Sequence, residues 1–251
     1  MLISLIKFTV LFYVTTGVLL FIFQRNFLYY PTQKINHAYR VEPFSVNGES
    51  IEVVVLNQGR EKALIYFGGN GEPVAMNADD FRHVFQNHTV YLVNYRGYGG
   101  STGSPDEQSL YSDALHIYSR IEQQHATISV VGRSLGSGVA TYLASEKPIE
   151  KLILITPYDS IQNVAQDKFP FYPMSLLLWD KYDSVGRVGK ISAETLVLLA
   201  EYDQIIPAKY SNRLISAFPK SQIKVKTIKG VGHNSISNRE SYYLLLQDFI
   251  R

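Results

Sequence analysis

Two kinds of apolar pattern divide the chain. From Phe8 to Phe23 sixteen residues pass without a charge, and counted from Leu2 the apolar stretch reaches 22 residues interrupted only by Lys7. A helix needs about 20 apolar residues to cross the hydrocarbon core of a bilayer. The segment therefore predicts a single membrane anchor within residues 1–30, with the Lys7 ammonium reaching for the interface near the helix end. A cleaved signal peptide fits less well. The run is longer than the usual apolar region of about 7–15 residues, and Gln24-Arg25-Asn26 is not a small-x-small cleavage site. Apolar character all the way round argues against a core helix. Lys7 and the α-amino group lie on one side, Arg25 and Lys34 on the other, so positive charge selects no orientation.

After Pro31 the pattern changes to short β-branched runs at 51–56, 63–67, 90–93, 128–131, 152–155, 196–200 and 223–228. Several are continuously apolar, as in parallel strands covered on both faces. Helical segments at 78–85, 106–123, 136–145, 209–217 and 239–250 lie between them. The second opens on Ser104-Pro105-Asp106-Glu107, which reads as a capping box with proline at the first helical position. Repeated alternation predicts an α/β domain over 31–251, with a mostly parallel central sheet and helices on both faces. The interruption at 157–190 is rich in Phe, Tyr, Leu and Pro. It is too apolar for a plain loop and predicts a small helical cap.

Charge sharpens this division. Residues 1–30 hold only Lys7 and Arg25, while residues 31–251 balance 22 basic against 22 acidic side chains. A neutral body excludes a broad phosphate-tracking surface, so nucleic acid is not an expected partner. With no cysteine, disulfides, thiolate metal sites and a cysteine nucleophile are excluded together.

The chemistry concentrates at Gly132-Arg133-Ser134-Leu135-Gly136, between a predicted strand and a predicted helix. Such a turn holds its central serine in a strained backbone with Oγ above the sheet, and the flanking glycines avoid collisions that a Cβ would make. The helix that follows aims its amide end at the site. A phosphate-binding loop is not the reading, because no Gly-Lys-Ser/Thr follows. A serine nucleophile needs a base, and the base an orienting acid. Of the six histidines, His83, His88, His116 and His125 read as packing, capping or surface residues, and His37 is uninformative. His233 stands apart, in a Gly230-Val231-Gly232-His233-Asn234 loop after the last predicted strand. Asp203 lies just past the strand at 196–200, and the order Ser134, Asp203, His233 is nucleophile, acid, base. Asp180 and Asp183 are rival acids, better read as caps or solvated ends of short helices. Gly68-Gly69-Asn70-Gly71 ends another strand. Its Asn70 amide, with that of Leu135, makes an expected oxyanion hole. Tyr158 follows a core strand near the cap and is an expected substrate contact.

With these motifs in view, the chain resembles the α/β-hydrolase superfamily, and more narrowly its membrane-anchored Bem46-like serine hydrolases. The resemblance spans nearly the whole chain. It includes the anchor running into Phe23-Gln24-Arg25-Asn26-Phe27-Leu28-Tyr29-Tyr30-Pro31, the Asn94–Gly99 turn with Ser101–Pro105, the serine turn, the acid loop and Gly232-His233. It implies an α/β-hydrolase fold with Ser134 as nucleophile, Asp203 as acid and His233 as base, and an oxyanion hole at Asn70 and Leu135. One departure stands out: the family's usual His-Gly-Asn is Gly68-Gly69-Asn70 here. The expected reaction is hydrolysis of a carboxylic ester or acyl-thioester, in a lipid-like small molecule or an acylated partner, with no cofactor and no metal. A serine peptidase or amidase on the same fold and a catalytically silent membrane-anchored module stay open as alternatives.

Overall fold

The computed structural model describes residues 1–251. Helix α1 (Leu2–Leu28) covers the first apolar run as one continuous element, and Gln24 is its only buried residue. It is long and apolar enough to cross a membrane. Eight strands follow: β1 (Arg40–Val46), β2 (Glu49–Leu56), β3 (Lys62–Phe67), β4 (His88–Val93), β5 (Thr127–Arg133), β6 (Lys151–Ile155), β7 (Glu194–Ala200) and β8 (Ile223–Ile228). They form one sheet in the order β1-β2-β4-β3-β5-β6-β7-β8. β1 and β2 pair antiparallel with each other, and β2 with β4; every other pairing is parallel.

The continuous apolar runs work by the two-residue period of a strand. In β3, Ala63, Ile65 and Phe67 face one core, while Leu64 and Tyr66 face the other. In β6 the same division separates Leu152 and Leu154 from Ile153 and Ile155. The first core is covered by α3 (Glu107–Ile121), α4 (Leu135–Glu146) and α7 (Ala208–Ala217), the second by α2 (Ala78–Val84) and α8 (Glu240–Ile250). In α3 the buried positions Leu110, Ala114, Ile117 and Ile121 repeat every three or four residues, which is the stripe that a half-buried helix requires. β8 is an edge strand whose exposed Lys224 and Lys226 discourage further pairing.

Two local readings change. β1 is an element the apolar pattern does not announce, because Pro43 and charged residues interrupt it, as an edge strand permits. Its turn did carry a signal: Asn47 and Gly48 sit at φ 51° and 83° and close a two-residue hairpin into β2. The start of α3 also differs from the expected capping box. Asp106, not Ser104, is the cap, and its side chain accepts from the Ser109 amide. Glu107 is drawn elsewhere, accepting from the Lys181 amide at 2.6 Å.

Between β6 and β7 lie α5 (Ile161–Lys168), α6 (Met174–Leu177) and a 3-10 turn at Val185–Lys190. Asp180 accepts from the Glu107 amide at 3.1 Å and from Arg25 Nε at 3.0 Å, and Asp183 accepts from the Gly186 amide. Asp183 thus serves the start of a short 3-10 turn, as expected, whereas Asp180 joins the start of the long α3 to the end of α1. The chain leaves β3 for β4 on one side and returns to β5 on the other, so β3 and β5 flank a switch in strand order. Crevices at such points, beyond the carboxyl ends of the strands, are where α/β sheets hold ligands.

Candidate active site

Ser134 lies at the carboxyl end of β5, with φ 50° and ψ −117°, immediately before α4. A non-glycine residue there stores about 1–3 kcal/mol of backbone strain, held in place by its amide donating to the Ile155 carbonyl at 2.9 Å. The two glycines of the turn are sterically required. A Cβ at Gly132 would strike the Gly136 carbonyl and Ala140, and one at Gly136 would strike the carbonyls of Phe67 and Gly68.

Asp203 and His233 arrive on the loops after β7 and β8. The His233 Nε2 lies 2.9 Å from Ser134 Oγ, and its Nδ1 lies 2.8 Å from Asp203 Oδ2. A carboxylate only accepts, so Nδ1 carries the proton and Nε2 presents its lone pair to the serine hydroxyl. The other oxygen of Asp203 accepts from the amides of Ile205 at 3.0 Å and Ile206 at 2.7 Å, which fixes the carboxylate's orientation. His233 and Asp203 side chains are only 6% and 7% exposed.

The loop after β3 lies beside the serine: a Cβ at Gly69 would sit 3.7 Å from Ser134 Cβ. Leu135 is the first residue of α4, so its amide has no acceptor within the helix. Asn70 is fastened by its side chain. Its Nδ2 donates to the Leu28 carbonyl at 2.6 Å, and its Oδ1 accepts from the Tyr30 amide at 2.9 Å and Tyr98 hydroxyl at 2.8 Å. The end of α1 thereby holds the loop that carries the Asn70 amide. At Gly68 a side chain has no room, because a Cβ would come within 2.7 Å of Val74. The loop is steadied instead by the Tyr95 hydroxyl, which donates to the Gly68 carbonyl at 2.7 Å, and by Glu72, which accepts from the Gly69 amide at 2.8 Å.

Glu72 and Arg133 are site residues that motif reading passed over. The Glu72 carboxylate also accepts from the Tyr66 hydroxyl at 2.5 Å, Asn77 Nδ2 at 2.6 Å and Arg133 Nη1 at 3.3 Å. Arg133 Nη2 reaches the carbonyls of His233 at 3.4 Å and Asn234 at 3.5 Å. Burial, the largest single influence, disfavours the charged guanidinium, but Glu72 together with the Tyr66 and Tyr242 hydroxyls outweighs it, and Arg133 is held above its ordinary pKa. The two side chains link the Gly69 loop to the His233 loop across the serine. The available signal was the charged residue inside the Gly132–Gly136 turn and the lone acid just after Gly71.

Ser134 stands between two cavities of opposite character. One, about 270 Å³, is lined mostly by apolar residues of α1 and of the 157–190 segment, together with Asn70, Ser134 and Leu135. The other, about 310 Å³, has no hydrophobic residue in its wall and includes Glu72, Arg133, Ser134 and His233. Tyr158 lines the apolar cavity, but its hydroxyl is engaged with the Leu135 carbonyl at 3.1 Å. It is part of the cavity wall and steadies the first turn of α4. Of the remaining histidines, His125 bonds Tyr91 and the Arg60 carbonyl, His83 bonds the Asp79 carbonyl, and His88 is buried.

An alpha/beta hydrolase fold family matches residues 62–172. An uncharacterized protein of Mycobacterium tuberculosis is 34% identical over 243 residues, which cover 88% of this chain and 85% of that protein. Protein bem46 of Schizosaccharomyces pombe is 27% identical over 201 residues, 74% of this chain and 66% of the relative. The lysophosphatidylserine lipase ABHD12 of Danio rerio is 29% identical over 195 residues, 64% of this chain and 50% of that enzyme. The chain therefore spans 85% of the mycobacterial relative but only half of the fish lipase. With its switch-point crevice and these relatives, the chain belongs to the α/β-hydrolase family as a Bem46-like enzyme of hydrolase type.

Proposed function

We propose that this protein is a membrane-anchored serine hydrolase that cleaves carboxylic ester or acyl-thioester bonds of lipid-like or acylated substrates. The observation that carries the reading is the 2.9 Å approach of His233 Nε2 to Ser134 Oγ at the boundary of the two cavities. His233, oriented by Asp203, takes the proton of Ser134 as its oxygen attacks the acyl carbonyl. The amides of Leu135 and Asn70 meet the oxyanion, each such donor being worth about 2.7–4 kcal/mol of transition-state stabilisation. The alcohol or thiol leaves with the proton from His233. Water then enters and gives a proton to the same imidazole as its oxygen bonds the acyl carbon. The acyl–Oγ bond breaks to release the acid while His233 returns the proton to Ser134 Oγ.

The two cavities divide the substrate. An acyl chain occupies the apolar one, against Val164, Met174 and Leu177 of the segment read as a cap, with the Tyr158 ring as part of the wall. A polar leaving group faces the other, where the paired Glu72 and Arg133 offer hydrogen bonds without a net charge. The relative named as a lysophosphatidylserine lipase, a substrate with one acyl chain and a polar head, supports that division. α1 is the single-pass anchor of the domain that follows it, and its last turns are also cavity wall.

The test is a panel of purified acyl esters, acyl thioesters and peptide amides presented to the detergent-solubilised protein and to Ser134→Ala. Ester or thioester turnover that disappears in the variant is expected. Cleavage of the amides alone would overturn the substrate class.

A further inference from the structure

We propose that the tip of the cap, residues 169–179, is immersed in the bilayer beside α1, so that the apolar cavity at Ser134 is filled laterally from one leaflet. The partner for this surface is lipid hydrocarbon. The inference rests on the reading of α1 as the membrane anchor.

The cap grips α1 along a single stripe. Arg25 pairs with Asp180 at 3.0 Å, and Gln24 accepts from the Trp179 amide at 2.8 Å while donating to the Leu177 carbonyl at 3.1 Å. Phe21 meets Trp179 edge-on, with ring centres 5.0 Å apart. At Gly17 a Cβ would come within 3.2 Å of the Tyr172 ring. Tyr13 stacks on Tyr172 at 4.7 Å, and its hydroxyl donates to the Phe171 carbonyl at 2.7 Å. Positions 13, 17, 21, 24 and 25 fall at the three- and four-residue spacing of one helix face.

That stripe sets a depth. From Tyr13 to Phe23 the helix rises about 15 Å, at about 1.5 Å per residue, half of a hydrocarbon core about 30 Å thick. Any position of α1 that places its uncharged run in the membrane carries Tyr172 and Phe171 in with it. The cap is built for such a place. Residues 169–179, FPFYPMSLLLW, contain no charge, and Lys168 and Asp180 bound them. Phe171 is 82% exposed and Leu176 79%, so these side chains face no protein. Several backbone groups at the tip are satisfied by protein, as lipid requires. The Lys181 ammonium, just beyond the uncharged run, donates to the Ser175 carbonyl at 2.8 Å. Gln166 Nε2 donates to the Tyr172 carbonyl at 3.0 Å, its Oε1 accepts from the Met174 amide, and Tyr13 covers the Phe171 carbonyl. The apolar cavity has Leu20 and Phe27 of α1 on one wall and Phe169 and Leu177 on another, so it lies along the seam that the lipid would border. An acyl chain would reach Ser134 from the leaflet without crossing water.

Trp179 is the only tryptophan in the chain, which provides a depth gauge. The full-length protein is reconstituted in phosphatidylcholine vesicles whose acyl chains carry bromine near the head group or near the chain middle. Parallel measurements use the doubly substituted protein W179F/F171W. Phe171 is exposed, so a larger ring there displaces no packed neighbour, and circular dichroism checks the fold. The expected result is a roughly twofold or greater loss of Trp179 emission with shallow bromines, and an equal loss with the deeper bromines for the tryptophan at position 171, about 15 Å below Phe23. Aqueous iodide leaves both nearly unquenched. Iodide quenching of position 171 without bromolipid quenching, in protein that resists alkaline carbonate extraction, would overturn the immersed cap while leaving the anchor in place. Release of the protein by carbonate would overturn the anchor reading and this inference together.

Discussion

Replacing Glu72 by Gln tests the part of the site that lies outside the three residues read as its chemistry. Each Glu72 oxygen serves two donors: Tyr66 and Asn77 on one, Gly69 and Arg133 on the other. A glutamine of the same shape has one oxygen and one NH₂. Its NH₂ faces either Asn77 or both Gly69 and Arg133, N–H donors that cannot accept, while the Tyr66 hydroxyl can turn to accept. Arg133 also loses its counter-charge, with side-chain exposures of only 12% for Arg133 and 13% for Glu72. Breaking a buried pair on one side costs about 3–5 kcal/mol. The polar cavity alongside lets water reach the pair, which places the loss at the lower end, about 3 kcal/mol. Glu72 holds the Gly69 amide, one residue from the amide expected to meet the oxyanion. Outright loss of such a donor costs about 10²–10³ in kcat, and displacement of the loop should cost about tenfold, with KM changed less. Urea unfolding of the detergent-solubilised protein reads the first quantity, and ester kinetics the second. A cycle with Arg133→Met reads the coupling, expected above about 1.5 kcal/mol. A Glu72→Gln protein within about 0.5 kcal/mol of the parent, with full kcat and additive effects in the cycle, would refute the reasoning.

Other consequences follow from the same geometry. Asp203→Asn leaves the shape but withdraws the acceptor that sets the His233 tautomer, so kcat should fall by about 10³–10⁴ with folding retained, as measured by steady-state kinetics and circular dichroism. Gly136→Ala drives a methyl into the Phe67 carbonyl and should abolish folded protein, whereas Gly189→Ala, with open space around it, should unfold at the parental urea concentration. Ala165→Phe narrows the apolar cavity, and each methylene it excludes should cost about 0.8 kcal/mol, roughly fourfold in kcat/KM, for long acyl chains relative to acetyl esters. Burial pushes the hydroxyls of Tyr66, Tyr95, Tyr158 and Tyr182 well above their ordinary range. Their folded values exceed the unfolded value of about 10, so the stability they lend is whole below pH 10 and is lost above it. Phenolate absorbance should therefore rise together with the loss of helical circular dichroism, and ionisation of all tyrosines in folded protein would contradict this.

Legibility in the sequence follows physical locality. β3 to β7 are readable because strands buried on both faces are largely apolar. The Ser134 turn is readable because its glycine spacing between a strand and a helix is local, although the collision that demands Gly136 is with Phe67 and Gly68. β1 escapes the apolar pattern since an edge strand tolerates Pro43, although Asn47-Gly48 announced its hairpin. The Asp106 cap displaces the expected box because Glu107 is claimed by Lys181, 74 residues away. Glu72 meets Arg133 across 61 residues, and Asn70 meets Leu28 across 42. No spacing rule reaches that far. The α1 helix reads from its composition as a membrane segment alone, and only the folded chain reveals that Leu20, Phe27 and Leu28 wall the cavity at Ser134.

The most direct test of the account is the site of covalent reaction. Full-length protein treated with a fluorophosphonate and digested for mass spectrometry should carry one adduct, on Ser134, absent from Ser134→Ala and strongly slowed in His233→Ala. An adduct on another residue, or ester hydrolysis that survives in Ser134→Ala, would contradict it.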